Sequence, residues 1–153
     1  MSTTTRPTAL WALVLFLVFS VALMLVGQTT AVFDYELAVR LGLQESTAQV
    51  SGFGAQVNRA FGTSDTLVYI SLMVASVVGL LLRKRWSLLT TAAVAGISAY
   101  WSVTVAFILL NLPGQPGYSY VPGLEIWLFI ATYAVFGVLA LAYLVARGEA
   151  LLE

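Results

Sequence analysis

The fold of this chain is decided by one long stretch without a charged residue, residues 86–112, which read WSLLTTAAVAGISAYWSVTVAFILLNL. A membrane-spanning helix needs about 20 mainly apolar residues to cross a hydrocarbon core of about 30 Å. Residues 86–112 exceed that length. We therefore expect a helix that tilts in the membrane or continues past its surface.

Three further apolar stretches have the same character, residues 9–26, 66–82 and 123–146, and only the last contains a charge, Glu125 in its first turn. The first stretch is longer than the apolar core of about 7–15 residues in a signal peptide, so we expect a retained helix. The sequence predicts an all-α fold, an integral membrane four-helix bundle that forms a single domain.

The composition supports this class and excludes several functions. Hydrophobic residues make up 60% of the chain and charged residues 9%, whereas soluble domains average about 25% charged residues. Seven basic residues balance seven acidic ones, so no basic excess attracts nucleic acid. Cys and His are absent, which excludes disulfides, Cys/His zinc sites and His-ligated haem. We expect no metal or cofactor; the expected partners are membrane lipids and a second copy or a larger membrane complex.

The basic residues predict the orientation of the helices, because Lys and Arg favour the cytoplasmic side of a membrane. With four crossings, Arg6, the basic turn at residues 83–85 and Arg147 fall on one side. Only Arg40 and Arg59 fall on the other side. The sequence therefore predicts that both termini are cytoplasmic.

The segment at residues 34–61 is long for a helix connection and is expected to be structured on the outer face. A short turn over residues 34–41 should end at Gly42. Ser46 and Gln49 then have the spacing of a capping box. An amphipathic helix over residues 47–61 should follow, end at Gly62 and direct one apolar face inward. That face comprises Val50, Phe53, Val57 and Phe61.

Small residues at four-residue steps predict close helix packing, because they let two membrane helices approach. The third and fourth apolar stretches also carry polar side chains along one face each, and polar groups facing lipid are costly. These faces predict either hydrogen bonds between helices or a ligand cavity. The small residues are Ser71, Ala75 and Gly79, then Ala92 and Gly96. The candidate ligand-binding residues are Tyr100, Thr104, Asn111, Glu125, Phe129 and Thr132.

Two acidic residues, Glu125 and Asp65, lie near the outer ends of predicted helices and can be explained by stabilisation of those helix ends. Glu125 lies in a first helical turn, where the helix dipole stabilises a carboxylate. Asp65, after Ser64, has the form of an ordinary helix start. Alternatively, both belong to a polar outer mouth with the charged residues of the segment above. Those residues are Asp34, Glu36, Arg40 and Arg59.

Three functions remain open. An accessory or scaffolding subunit of a membrane complex predicts tight small-residue packing and no sizeable cavity. A binding protein for a lipid or another apolar small molecule predicts an aromatic-lined pocket around Trp101, Phe129 and Phe136. A transporter or a carboxylate-based enzyme ranks last, because the four apolar stretches offer no ionisable acid or base near their centres. No catalytic residue is predicted.

Overall fold

The computed structural model describes residues 7–153, which are 82% helical and contain no strand. Four helical runs are long and apolar enough to cross a membrane: Thr8–Phe33, Thr47–Leu81, Trp86–Asn111 and Leu124–Leu151. The predicted all-α class and the four apolar helices are confirmed. Arg6, one of the residues that predict the orientation, lies outside the described residues.

The first two runs each contain one turn of π-helix. In chain order the elements are α1 Thr8–Met24, π1 Leu25–Thr29, α2 Thr30–Phe33, α3 Tyr35–Arg40, α4 Thr47–Ser64, π2 Asp65–Tyr69, α5 Ile70–Leu81, α6 Trp86–Asn111, α7 Leu124–Arg147 and a terminal 3₁₀ turn Gly148–Leu151.

Neighbouring helices in the sequence are also neighbours in space, since α5 packs on α6 and α6 on α7, while α1 packs on α5. Helix α7 also packs against α1 through aromatic side chains. The ring of Phe16 stacks on Phe136 with centroids 3.8 Å apart and meets Tyr133 edge-on at 5.3 Å. Large apolar side chains such as Leu17 and Met73 fill the core with no exposed surface.

Close backbone approach holds α6 against α7, and the decisive residue is Gly137. A Cβ added there would lie 2.7 Å from both the Ala95 carbonyl oxygen and the Ala99 amide nitrogen. The four-residue pattern does not include Gly137. It predicts Gly96 instead, where an added Cβ would have no neighbouring atom within 4 Å.

The predicted packing at Gly79 is confirmed, because an added Cβ there would lie 2.6 Å from the Ser87 Cβ and 2.7 Å from the Trp86 ring. Gly79 therefore lets the end of α5 pack on the start of α6. Ser71 is exposed, so within one chain the predicted seam is limited to Gly79 and the half-buried Ala75.

The outer segment is helical, but it is not a separate element. We call residues 30–64 the cap. Its helix α4 begins at Thr47, as predicted, and is kinked at Ser51, whose backbone is non-helical with φ +62°. After this kink it continues through π2 into α5. Gly62 does not end this helix. Its lack of a side chain instead lets α4 approach π1 closely, since an added Cβ would lie 2.9 Å from the Gln28 carbonyl oxygen. The predicted inward face is wrong at Phe53 and Phe61, which are 81% and 40% exposed, whereas Val50 is buried and Val57 half-buried.

Local hydrogen bonds fix where the cap helices begin and end. The Ser46 amide donates to the Gln49 side-chain oxygen at 2.9 Å, as the capping box predicts. Gly42 has φ +70° just after α3 and ends that helix as predicted, since glycine adopts this conformation without steric cost. The loop between α6 and α7 attaches to the cap, because the Ser119 amide donates to the Gln49 carbonyl at 2.7 Å.

Candidate functional site

The structure places most of the predicted ligand-binding residues on the outside of α6 and α7. Tyr100 is 73% exposed, so the expectation that its side chain points into the bundle is wrong. Asn111 and Glu125 are exposed at the adjoining ends of the two helices. Thr132 is exposed, and its hydroxyl donates to the Leu128 carbonyl at 2.8 Å. These residues do not line a common interior space, and the ligand site they would form stays a prediction.

Phe129 and Thr104 are half-buried, and Phe129 belongs to an aromatic group inside the bundle. Its ring centroid lies 4.7 Å from that of Tyr133 and 5.8 Å from that of Trp101. With the stacked pair of Phe16 and Phe136, these rings pack against one another. The aromatic residues expected to line a pocket instead fill the space between α1, α6 and α7.

Two shallow clefts occur elsewhere on the described surface. One of about 260 Å³ lies at the cap and is lined in part by Asp34, Glu36 and Arg59. The other, of about 120 Å³, lies between α1 and α5 and is lined only by valines. Neither cleft reaches the predicted residues of α6 and α7.

The face of α6 that does point inward carries small hydroxyl residues. The side chains of Ser98 and Ser102 bond to their own helix, donating to the Val94 and Ser98 carbonyls at 2.9 and 2.8 Å. Such bonds satisfy a hydroxyl without a partner helix. The sequence alone therefore does not indicate that these serines face the interior. The inward hydroxyl residues are Ser87, Thr91, Ser98 and Ser102, each at most 1% exposed.

The two π-helical turns lie against each other where the cap joins the bundle. The hydroxyls of Thr29, in π1, and Thr66, in π2, are 3.0 Å apart and share a hydrogen bond. Thr66 also donates to the Gly62 carbonyl at 2.7 Å. Single π-helical turns inside α-helices occur frequently at functional sites, which directs attention to the side chains that these two turns present.

Asp65 opens the second π-turn and is only 7% exposed. Its Oδ2 atom makes no hydrogen bond to any residue from 7 to 153. No basic group compensates its charge, because the single ion pair in this range joins Arg85 to Glu149 at 2.7 Å. Arg59, on the preceding helix, donates to the carbonyls of Ala31 and Val32 instead, at 3.4 and 3.3 Å.

Buried hydroxyl groups also occur on α1, α6 and α7 and at the end of the π-turn that Asp65 opens. Tyr69 shares a hydrogen bond of 2.6 Å with Ser98. The hydroxyl oxygens of Ser20, on α1, and Tyr133, on α7, are buried and make no hydrogen bond among the described residues.

The cap has its own hydrogen-bond network around Tyr35. The Tyr35 hydroxyl donates to the Glu45 carbonyl at 2.9 Å and accepts from the Asn58 amide at 3.1 Å. Asn58 also donates to the Glu45 carboxylate at 2.8 Å. Burial raises the pKa of Tyr35 above its ordinary value, despite the bond from Asn58 that lowers it. The network joins α3, α4 and their connecting loop into one unit.

No family model, curated protein or solved structure matches the chain. Within residues 7–153, no group of three or more acidic residues could hold a metal ion. Two features of the described residues bear on function: a filled interior between α1, α6 and α7, and the buried carboxylate of Asp65, which has no ion-pair partner.

Proposed function

We propose that the protein is an accessory or scaffolding subunit of a membrane complex. The observation that carries this proposal is the filled interface between α6 and α7. Gly137 lets the two backbones meet, and the Phe16–Phe136 stack with Tyr133 occupies the space beside them. Rigid packing of this kind suits a subunit that works through its outer surface, since a binding protein for an apolar molecule needs a concave pocket.

The proposal places the parts of the four apolar runs that lie outside the cap across a membrane, with both termini cytoplasmic. Its support is the pattern of exposed side chains: Leu15, Phe19, Leu89 and Val138 are each more than half exposed on the helix surfaces. Water solvates such surfaces unfavourably, whereas lipid chains or partner helices cover them. The basic turn at residues 83–85 supports a cytoplasmic position for that end.

On this proposal the cap is the part of the surface that is available to partners outside the bilayer. The Tyr35 network and the bond from Ser119 to α4 tie the cap together and to the loop before α7. Phe53 and Phe33 project from it with 81% exposure each. The amphipathic helix at residues 47–61 would then lie at the membrane surface with these rings beside a partner subunit or the headgroups.

The test is purification of the tagged full-length chain in a mild detergent, followed by native mass spectrometry. We expect a stoichiometric second protein to remain bound. The paired substitution of Phe33 and Phe53 by Ser should release that protein while the thermal unfolding temperature stays unchanged, because both side chains are exposed. Exposed Leu15→Ala serves as the control for loss of an apolar contact on the helix surface away from the cap.

Two results would contradict the proposal. One is a chain that purifies alone while a lipid or small molecule is bound in stoichiometric amount, which would favour the lipid-binding function. The other is a second protein that stays bound to the Phe33 and Phe53 double variant and dissociates from the Leu15→Ala control, which would remove the cap from the interface.

A further inference from the structure

Three charged side chains of the cap line one cleft without forming an ion pair with one another. The cleft has a volume of about 260 Å³, and Asp34, Glu36 and Arg59 are among its lining residues. In the described part of the chain the single ion pair joins Arg85 to Glu149, so neither carboxylate is paired with Arg59. We call this space the cap cleft.

Arg59 is held in place at the cap cleft and still has unused donors. Its Nε and Nη2 atoms donate to the carbonyls of Ala31 and Val32 at 3.4 and 3.3 Å, which is longer than ordinary N–H···O bonds. A guanidinium group carries five N–H donors, and these two bonds use two of them. The remaining donors are available for a two-point contact with a phosphate.

The two carboxylates have acceptor capacity left as well. Asp34 accepts the Leu37 amide through Oδ1 at 2.9 Å, which leaves its Oδ2 atom for a ligand. Asp34 and Glu36 are both exposed, so a ligand can reach them from outside. The cap cleft therefore presents one positive and two negative groups, which is complementary to a ligand that carries charges of both signs.

The length of the first helical run places the cap cleft at the level of lipid headgroups. The run Thr8–Phe33 has 26 residues and is about 39 Å long at about 1.5 Å per residue. The hydrocarbon core of a bilayer spans about 30 Å, and the bilayer with its headgroups about 40–45 Å. On the proposed transmembrane arrangement, the end of this run therefore emerges among the headgroups. Phe33, at that end, is 81% exposed and lines the cap cleft.

We propose that the cap cleft binds the headgroup of a phospholipid of the phosphatidylethanolamine class. Its phosphate contacts Arg59, and its primary ammonium, which has three N–H donors, contacts Asp34 and Glu36. The cleft has the volume of about nine water molecules of about 30 Å³ each, which is room for a phosphoethanolamine group. The exposed ring of Phe33 lies beside the glycerol and the first acyl carbons.

Other common phospholipids match this set of charges less well. A phosphatidylcholine headgroup has no N–H donor for the two carboxylates. A phosphatidylglycerol headgroup is anionic and meets a lining in which two carboxylates outnumber one guanidinium. The proposal rests on the transmembrane arrangement in the proposed function, and it does not require a protein partner.

The experiment titrates the purified full-length chain, in a mild detergent, with each of these three lipids carrying identical acyl chains. Native mass spectrometry measures the fraction of the chain that binds each lipid. We expect phosphatidylethanolamine to bind about tenfold more tightly than the other two, because two contacts between exposed charges each contribute a factor of about two to five. Soluble phosphoethanolamine should bind far more weakly, since it lacks the acyl chains; equally tight binding would overturn the assignment to a lipid.

Variants at the exposed carboxylates test the assignment of charges. The double variant Asp34→Asn and Glu36→Gln keeps both side-chain shapes, and Asn preserves the cap of α3. It should unfold close to the wild-type temperature and lose the preference for phosphatidylethanolamine over phosphatidylcholine. Glu36→Lys should shift the preference towards phosphatidylglycerol. The control Glu125→Gln removes an exposed carboxylate on α7, outside the cap cleft, and should bind the three lipids as the wild type does.

The proposal is overturned if the wild type binds the three lipids equally, or if the double variant keeps the wild-type preference. Both results are independent of whether a second protein binds to the cap. A chain that prefers phosphatidylethanolamine and has no protein partner would contradict the scaffolding function alone, and a chain that binds a partner without lipid preference would contradict this proposal alone.

Discussion

Substitution of Gly137 by Ala perturbs the interface between α6 and α7 at its closest point. The added methyl group would lie 2.7 Å from the Ala95 oxygen and from the Ala99 nitrogen, and 2.9 Å from the Ala99 Cβ. Ordinary van der Waals contact begins at 3.4 Å, so the nearest atoms are short by about 0.7 Å (3.4 − 2.7). Two of these three atoms are backbone and cannot rotate away, so the helices must move apart.

The size of the effect follows from two opposing terms. Overpacking of a filled interior costs about 1–3 kcal/mol. Replacement of Gly by Ala inside a helix contributes about 1 kcal/mol in the opposite direction. Gly96→Ala carries only the second term, because Gly96 lies within α6 and an added Cβ has no neighbouring atom within 4 Å. The difference between the two variants therefore isolates the overpacking term. We therefore expect Gly137→Ala to be less stable than Gly96→Ala by about 1–3 kcal/mol.

The measurement is reversible unfolding of both variants in mixed micelles of a mild and a denaturing detergent, followed by tryptophan fluorescence. Trp101, whose ring lies 6.0 Å from that of Tyr133, reports on the same interface. Equal free energies of unfolding for the two variants would refute the close approach of α6 and α7. The filled interior that supports the scaffolding proposal would then lose its main support.

Three further predictions concern other parts of the fold. Gly79→Leu should destabilise the protein by about 1–3 kcal/mol, because the larger side chain would collide with Ser87 and Trp86. Ser71→Leu, at an exposed position of the same helix, should be tolerated. Equal unfolding temperatures for the Gly79→Leu and Ser71→Leu variants would contradict this prediction. Glu125→Gln should cost only about 0.3–1 kcal/mol, the effect of one charge on a helix dipole, and leave co-purifying lipids unchanged; altered lipids would favour the predicted ligand site. Because burial raises the pKa of Tyr35, its neutral form stabilises the cap below about pH 10, and this stability should fall as pH rises further. Unfolding measured against pH should lose that slope in Tyr35→Phe.

The features that could be predicted from the sequence are those set by local chemistry. Four apolar stretches define the four long helices, because length and hydrophobicity alone decide them. The capping box of Ser46 and Gln49 and the turn at Gly42 also follow from local hydrogen bonds and backbone conformation. Each of these features depends on residues within a few positions of one another.

The inward face of α6 could not be predicted in the same way, because small polar and apolar residues are spread around this helix and its periodicity is weak. Tyr100 is polar and points outward, whereas Ser98 is polar and buried. Helix surfaces that face lipid and those that face protein are equally apolar, so hydrophobicity does not distinguish them. Which face is buried depends on the neighbouring helices.

The roles of Gly137 and Asp65 also depend on neighbouring helices and therefore could not be predicted from the sequence. Gly137 matters because the backbone of α6 lies beside it, and no local pattern identifies that neighbour. Asp65 has the sequence form of a helix start, yet α4 already precedes it and its carboxylate is buried at a π-turn. The continuation of α4 past Gly62 into the next long helix converts a terminal residue into an interior one.

The central claim is that the chain crosses a membrane four times, with the cap and the basic turn on opposite sides. The chain contains no cysteine, so single cysteines can be placed at Ser119, in the loop bound to the cap, and at Lys84, in the exposed basic turn. A membrane-impermeant thiol reagent should label Ser119→Cys in intact cells and Lys84→Cys only after the membrane is permeabilised. Labelling of both positions in intact cells, or of Lys84→Cys alone, would contradict the claim.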